Sequence, residues 1–254
     1  MPKIELKASD ELQPFFNELP LPQGLNGREV NICNFNGLIL STKLSLVIEI
    51  YRRMQDLYDS FNSGRLFLCI AQRNQFPEIY KEPIPSWGIN WVKIQFLLSS
   101  IHSYNSTFDL YLQVNWLYFE LFKYDSTTSQ LDFSGNNLER ILNACKRRKF
   151  SYSTIKKHIY SDINNYIFEF ESTKSYKEVA ELCNTIKHRQ GISFTELSRD
   201  KHPFYLDFEN YNSYKTLFER DISQVIMILK NYHQELKNLC DASIPFWDCS
   251  KFQS

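Results

Sequence analysis

From Leu38 onward the apolar positions of this chain recur at intervals of three and four. Leu40, Leu44, Val47, Ile48, Tyr51, Met54 and Leu57 form one stripe, and Lys43, Glu49, Arg53 and Asp56 lie off it, the pattern of an amphipathic helix. The polar stretch SFNSGR at 60–65 predicts its end. LFLCIA at 66–71 reads as a short strand or a helical turn, two readings that so short a run does not separate. Proline recurs through FPEIYKEPIPSWG, which predicts a loop.

The most apolar region spans 89–122 and contains neither Gly nor Pro. It is too long for a strand and predicts one long helix, or two that meet near Ser103–Thr107. Apolar side chains occupy nearly every side of its second half, so a central helix is expected there. NNLERILNACKRRK (136–149) places Leu138, Ile141, Leu142 and Cys145 on one face. STIKKHIYSDINNYIFEFE and SYKEVAELCNTIKHRQ predict two more helices, the second closed by Gly191, a residue suited to a left-handed terminator. GISFTELSRDKHPFYLDFEN predicts a loop with room for an extended segment. A final helix is expected over 211–239, carrying Tyr214, Leu217, Phe218, Ile222, Val225, Ile226, Leu229 and Tyr232, before an irregular tail, IPFWDCSKFQS. Residues 1–35, with Pro2, Pro14, Pro20 and Pro22, predict an irregular arm with a short helix near Glu11–Asn17. The remainder, 36–254, is expected to be a single domain. Six or seven helices with short connections make an all-α helical bundle.

Composition sharpens this picture. Only 7 of 254 residues are Gly, which disfavours a hairpin-rich protein and favours long helices. The 20 Phe, 15 Tyr and 4 Trp point to aromatic packing between helices and across a homodimer interface, with base stacking as the alternative. Formal net charge is zero, so any affinity for nucleic acid must come from a local patch. The six cysteines are scattered without a C-x-x-C pair, as expected of free thiols in a reducing, cytoplasmic setting. The first residues lack the apolar run of a signal peptide, and no stretch of about 18 apolar residues predicts a membrane span. Phosphate-loop, dinucleotide and zinc-protease motifs are absent, and no two of the five histidines lie within four residues of each other. Neither a metal nor a cofactor is expected.

Three clusters carry candidate chemistry. On the helix YKEVAELCNTIKHRQ, Tyr176, Val179, Ala180, Cys183 and Ile186 form an apolar face, and Glu181, Asn184 and His188 lie opposite. Lys187 and Arg189 flank the histidine. An imidazole within a turn of an amide and beside cations can hold phosphate and move a proton near neutral pH. The same cations also complement a helix C-terminus. The long helix carries a polar line, His102, Asn105, Asp109, Gln113 and Glu120, which either faces the Asn184/His188 helix in a cleft or forms an exposed stripe. KRRKFSYSTIKKH (146–158) interleaves Arg147, Arg148, Lys156 and Lys157 with two aromatics. That composition suits a backbone-tracking RNA patch, or a helix end followed by a solvated turn.

ELCNTIKHRQG resembles the motif helix of the HEPN superfamily (higher eukaryotes and prokaryotes nucleotide-binding). It is most similar to a branch of uncharacterised bacterial members with an Asn-x-Ile-Lys-His-Arg string. The likeness extends over about 89–240 in helix order. It implies a dimeric helical bundle that binds RNA or nucleotide, and in many members a metal-independent endoribonuclease of a defence or toxin–antitoxin system. The family signature is Arg, a polar residue, then His after four to six intervening residues. Asn184 takes the polar position and His188 the histidine, while Cys183 stands where the family has arginine. The resemblance makes His188 the proton-transfer residue and Asn184 the group that positions the 2′-hydroxyl or phosphate. Arg189 or Lys187 would neutralise developing charge. With a thiol in place of the guanidinium, binding of RNA survives better than cleavage. The other expectation is a non-catalytic helical interaction or scaffold protein, such as an antitoxin.

Overall fold

The computed structural model describes residues 11–23, 42–76, 79, 85–133, 135, 137–146, 153, 155, 157–158, 162–188, 192–197 and 219–247. Among them the chain is all-α, as its patterning predicts. The α-helices are α1 (Gln13–Glu18), α2 (Thr42–Ala71), α3 (Ser86–Tyr118), α4 (Asn137–Cys145), α5 (Asp162–Ser172), α6 (Lys174–His188) and α7 (Ile222–Ser243). Ser153, Ile155, Lys157 and His158 are helical as well. Short 3-10 turns cover Leu121–Tyr124, Thr195–Leu197 and Ile244–Phe246. The extended segment allowed for in GISF exists as β1 (Ser193–Phe194), paired in parallel with β2 (Glu219–Arg220).

The helix boundaries differ from the sequence expectation in instructive ways. α2 does not end at SFNSGR but runs unbroken through it, and LFLCIA is its last part. Gly64 costs an isolated helix about 1 kcal/mol. Here it is buried, and its carbonyl accepts a hydrogen bond of 2.8 Å from the fully buried Ser100 hydroxyl of α3. Tertiary packing outweighs local propensity. α3 starts at Ser86, inside the stretch expected to be a loop, where the Pro85 carbonyl accepts the first helical N–H, that of Gly88 (2.9 Å). It passes through Ser103–Thr107 without a break, and every residue from Tyr111 to Tyr118 is buried, as expected of a central helix. Glu120 then stops it in the left-handed conformation (φ 51°, ψ 37°).

α7 begins at Ile222 and not near 211. Glu219–Arg220 is extended, and the Asp221 carboxylate caps the helix by accepting the Ser223 N–H at 2.7 Å. Tyr214, Leu217 and Phe218 of the expected helix lie outside the described residues. α7 also outruns its expected end, continuing to Ser243 and into the Ile244–Phe246 turn.

The chain divides into two compact units, and three of the five boundaries fall within α2, α3 and α7. The first contains residues 1–20, 63–103 and 174–234, the second 21–62, 104–173 and 235–254. In the first, Leu68, Leu97, Ile101, Val225 and Leu229 are fully buried. α1 is clamped there from several sides. The Arg65 guanidinium donates to the Phe16 carbonyl (2.8 Å) and lies 4.5 Å from the centre of the Phe16 ring. Lys230 pairs with Glu18 at 2.6 Å, and the buried His233 Nε2 donates to the Pro20 carbonyl at 2.9 Å.

The second unit has an aromatic core of Phe61, Tyr104, Phe108, Tyr111 and Trp116. A hydrogen-bonded chain anchors the C-terminal segment to it. The Tyr111 hydroxyl is 2.7 Å from the Ser243 hydroxyl, Asn115 Nδ2 donates to the Tyr111 carbonyl (2.9 Å), and Trp247 Nε1 donates to Asn115 Oδ1 (3.1 Å). The segment expected to be irregular is therefore held by a buried tryptophan. Burial pushes the Tyr111 phenol well above its usual pKa. The aromatic richness of α3 is taken up largely by this internal core.

Candidate functional site

α6 follows α5 after a single residue, Thr173, whose hydroxyl donates to the Phe170 carbonyl at 2.8 Å. Ser175, Val179, Leu182, Cys183 and Thr185 form its buried face. Lys177, Glu181, Asn184 and Lys187 are exposed on the other side. Tyr176 and Ala180, expected on the apolar face, are instead only half-buried. Each lies one residue, about 100° of helical rotation, beyond a buried neighbour, and so reaches the shoulder of the helix.

That shoulder forms a groove of about 370 Å³ lined by Tyr176, Lys177, Ala180, Glu181, Asn184 and Thr185. Its position follows from spacing. Tyr176, Ala180 and Asn184 recur every four residues, so they stack along one edge of the helix. Ala180, with only a methyl group, leaves a depression between the larger side chains one turn to either side. The result places an aromatic ring, an ammonium, an amide and the Glu181 carboxylate along one open trough. An amide can donate and accept to a hydroxyl or a base edge, an ammonium can meet a phosphate, and a ring can stack.

The remaining candidates separate. His188 is the last residue of α6, but its side chain, with Arg189 and Gly191, lies outside the described residues. Cys183, which the resemblance aligns with the family arginine, is only 2% exposed, although the adjoining Asn184 is exposed. Of the polar line on α3, His102 belongs to the same unit as α6, while Asn105, Asp109, Gln113 and Glu120 belong to the other. Asn105 and Gln113 are buried, so the line is not an exposed stripe along its length. Gln113 Oε1 has no hydrogen-bond partner among the described residues. Its backbone carbonyl accepts the Cys145 thiol at 3.7 Å. Glu120 forms an ion pair with Lys123 beyond the helix end.

Of the basic segment, Arg147, Arg148 and Lys156 lie outside the described residues, while Lys157 is exposed. His158 stacks on Tyr124, with ring centroids 4.3 Å apart and planes at 12°. Sequence reasoning missed Tyr176 and Lys177 as groove residues, although the four-residue spacing to Asn184 was a usable signal. It also missed Tyr124, for which no local signal exists, because its partner His158 is distant in the chain.

Among the described residues no helix is long and apolar enough to cross a membrane, and no three His, Cys, Asp or Glu side chains cluster as metal ligands would. The architecture defines an all-α protein with an open polar groove on α6. The chain matches no protein-family model, no curated protein and no solved structure.

Proposed function

We propose that this is an HEPN-like RNA- or nucleotide-binding protein whose groove on α6 contacts the ligand. The observation that carries the reading is the exposure of Asn184, the residue at the family's polar position, on the wall of a trough that also holds Tyr176 and Lys177. Lys187 is exposed on the same helix. The burial of Cys183 favours binding over cleavage, since a thiol that is 2% exposed brings neither charge nor access to a phosphate. On this reading the chain is a degenerate relative of the metal-independent endoribonucleases of defence or toxin–antitoxin systems. It acts as a cytoplasmic homodimer. In any residual cleavage His188 transfers the proton, Asn184 orients the 2′-hydroxyl, and Arg189 or Lys187 meets the developing charge.

The test is anisotropy of a labelled single-stranded RNA over a range of salt, comparing the parent with Lys177→Ala/Lys187→Ala and with Asn184→Ala. Losing two phosphate contacts should flatten the slope of log K against log salt by about 1.4, at roughly 0.7 per contact on single strands. Unchanged affinity and slope in both variants would remove α6 from the interface. Incubation with total RNA, with and without His188→Ala, asks about cleavage in parallel.

A second reading, a non-catalytic interaction protein, is favoured by a different observation. In the second unit a groove of about 310 Å³ is floored by Tyr166, Phe170, Leu239 and Ala242 and edged by Glu169 and Glu235. With two carboxylates and no cation along it, this groove opposes phosphate, whereas on α6 Glu181 is accompanied by Lys177, and nearby in sequence Phe168 is 65% exposed. Absence of RNA affinity at low salt would favour this reading over the first.

A further inference from the structure

The basic segment 146–158 ends on a feature that its sequence does not announce. Leu121–Tyr124 is a tight 3-10 turn entered through the left-handed Glu120. The turn buries Leu121 and Phe122 and leaves Tyr124 61% exposed. His158 lies flat on the Tyr124 ring, at 4.3 Å and 12°. Most core pairs of the same unit are tilted, although the buried Phe108–Tyr111 pair is near-parallel at 10° with its ring centroids 6.1 Å apart. Phe61–Tyr104 is edge-to-face at 78°, Trp116–Phe122 is tilted at 53°, and Phe108–Phe170 is tilted at 44°. Those tilted contacts fill an interior, where rings interlock. The Tyr124–His158 pair is nearly coplanar and sits at the surface, with exposed Lys157 adjacent in the chain and Lys123 beside the tyrosine. Lys123 is engaged by Glu120, which leaves Lys157 as the cation better placed to meet a phosphate.

We propose that the Tyr124–His158 pair is a stacking platform for an unpaired nucleobase of single-stranded RNA, with Lys157 holding the adjoining phosphate. A flat, largely solvent-exposed ring offers a π-face that any base can cover, and the histidine behind it fixes the ring plane before the base arrives. Pre-ordering of this kind lowers the entropy lost on binding. The inference rests on the RNA-binding reading above and extends it to a second contact, outside the unit that contains α6.

The experiment compares two probes of equal length and charge, an oligouridine ten-mer and an abasic ribose-phosphate oligomer, on the full chain at one salt concentration. The parent should prefer the base-bearing probe by roughly 5- to 150-fold, the span that one stacked base supplies. Tyr124→Leu should lower that preference by the roughly 5-fold or more that one stacked base supplies and Tyr124→Phe should keep it, while affinity for the abasic probe stays level in both. Lys157→Gln should weaken both probes equally and flatten the salt slope by about 0.7. Thermal melts of each variant separate a lost contact from a lost fold, and Lys157→Gln gives a second reading if Tyr124→Leu unfolds. Oligouridine binding that is unaffected by Tyr124→Leu, or an abasic probe bound as tightly by the parent, overturns the platform and leaves the α6 groove standing. Failure of the parent to bind either probe at low salt removes the RNA reading itself and the platform with it.

Discussion

Cys183→Arg would complete the motif that α6 resembles, and the fold opposes it. The Cys183 thiol is 2% exposed, on the same buried face as Val179 at 1% and Leu182 at 2%. An arginine there must either carry its guanidinium into that face or force α6 away from it. The effective penalty for an unpaired buried ion is several kcal/mol, a large fraction of the total stability of about 5–15 kcal/mol that domains possess. At about 2–4 °C per kcal/mol for a chain of this size, a loss of about 3–5 kcal/mol lowers the melting temperature by roughly 6–20 °C. Asn184→Ala, one position along the same helix, should stay within about 0.5 kcal/mol of the parent because its side chain is exposed. The assay is a pair of thermal melts followed by circular dichroism at 222 nm. A Cys183→Arg protein that melts within 2 °C of the parent would refute the reasoning, because position 183 would then accept a cation.

Further outcomes follow from the same packing. Asn115→Ala removes the acceptor of the buried Trp247 Nε1 and the donor to the Tyr111 carbonyl, and should cost about 2–4 kcal/mol, read from urea midpoints. Ser100→Ala should cost only about 1 kcal/mol in the same assay, since the Gly64 carbonyl lies inside an unbroken helix and loses only its side-chain donor. Burial raises Cys69 and Cys145 to about 12 and Cys240 higher still. Only about one molecule in ten thousand of the first two carries a thiolate at pH 8, so these thiols should resist Ellman's reagent in the native protein and react once urea is added. Rapid native modification at Cys69, found by peptide mapping, would contradict its burial.

Periodicity alone determined the class of this protein. Apolar residues at three and four, a near-absence of glycine and one apolar stretch free of breakers leave helices as the only economical way to pair the backbone. The exposed position of Asn184 was legible for the same reason, since a 3.6-residue repeat assigns sides to a helix. Tertiary structure decided the rest. The continuation of α2 through Gly64 depends on Ser100 of another helix, and the start of α7 at Ile222 depends on β2 pairing with β1. The half-buried position of Tyr176 and Ala180 depends on how far the packing surface wraps around α6, which no repeat encodes. The stack of His158 on Tyr124 joins residues far apart in the chain, and local pattern is blind to such a meeting. A sequence records which side of an element is apolar, but which surfaces come together is settled only when packing free energy is summed over the folded chain.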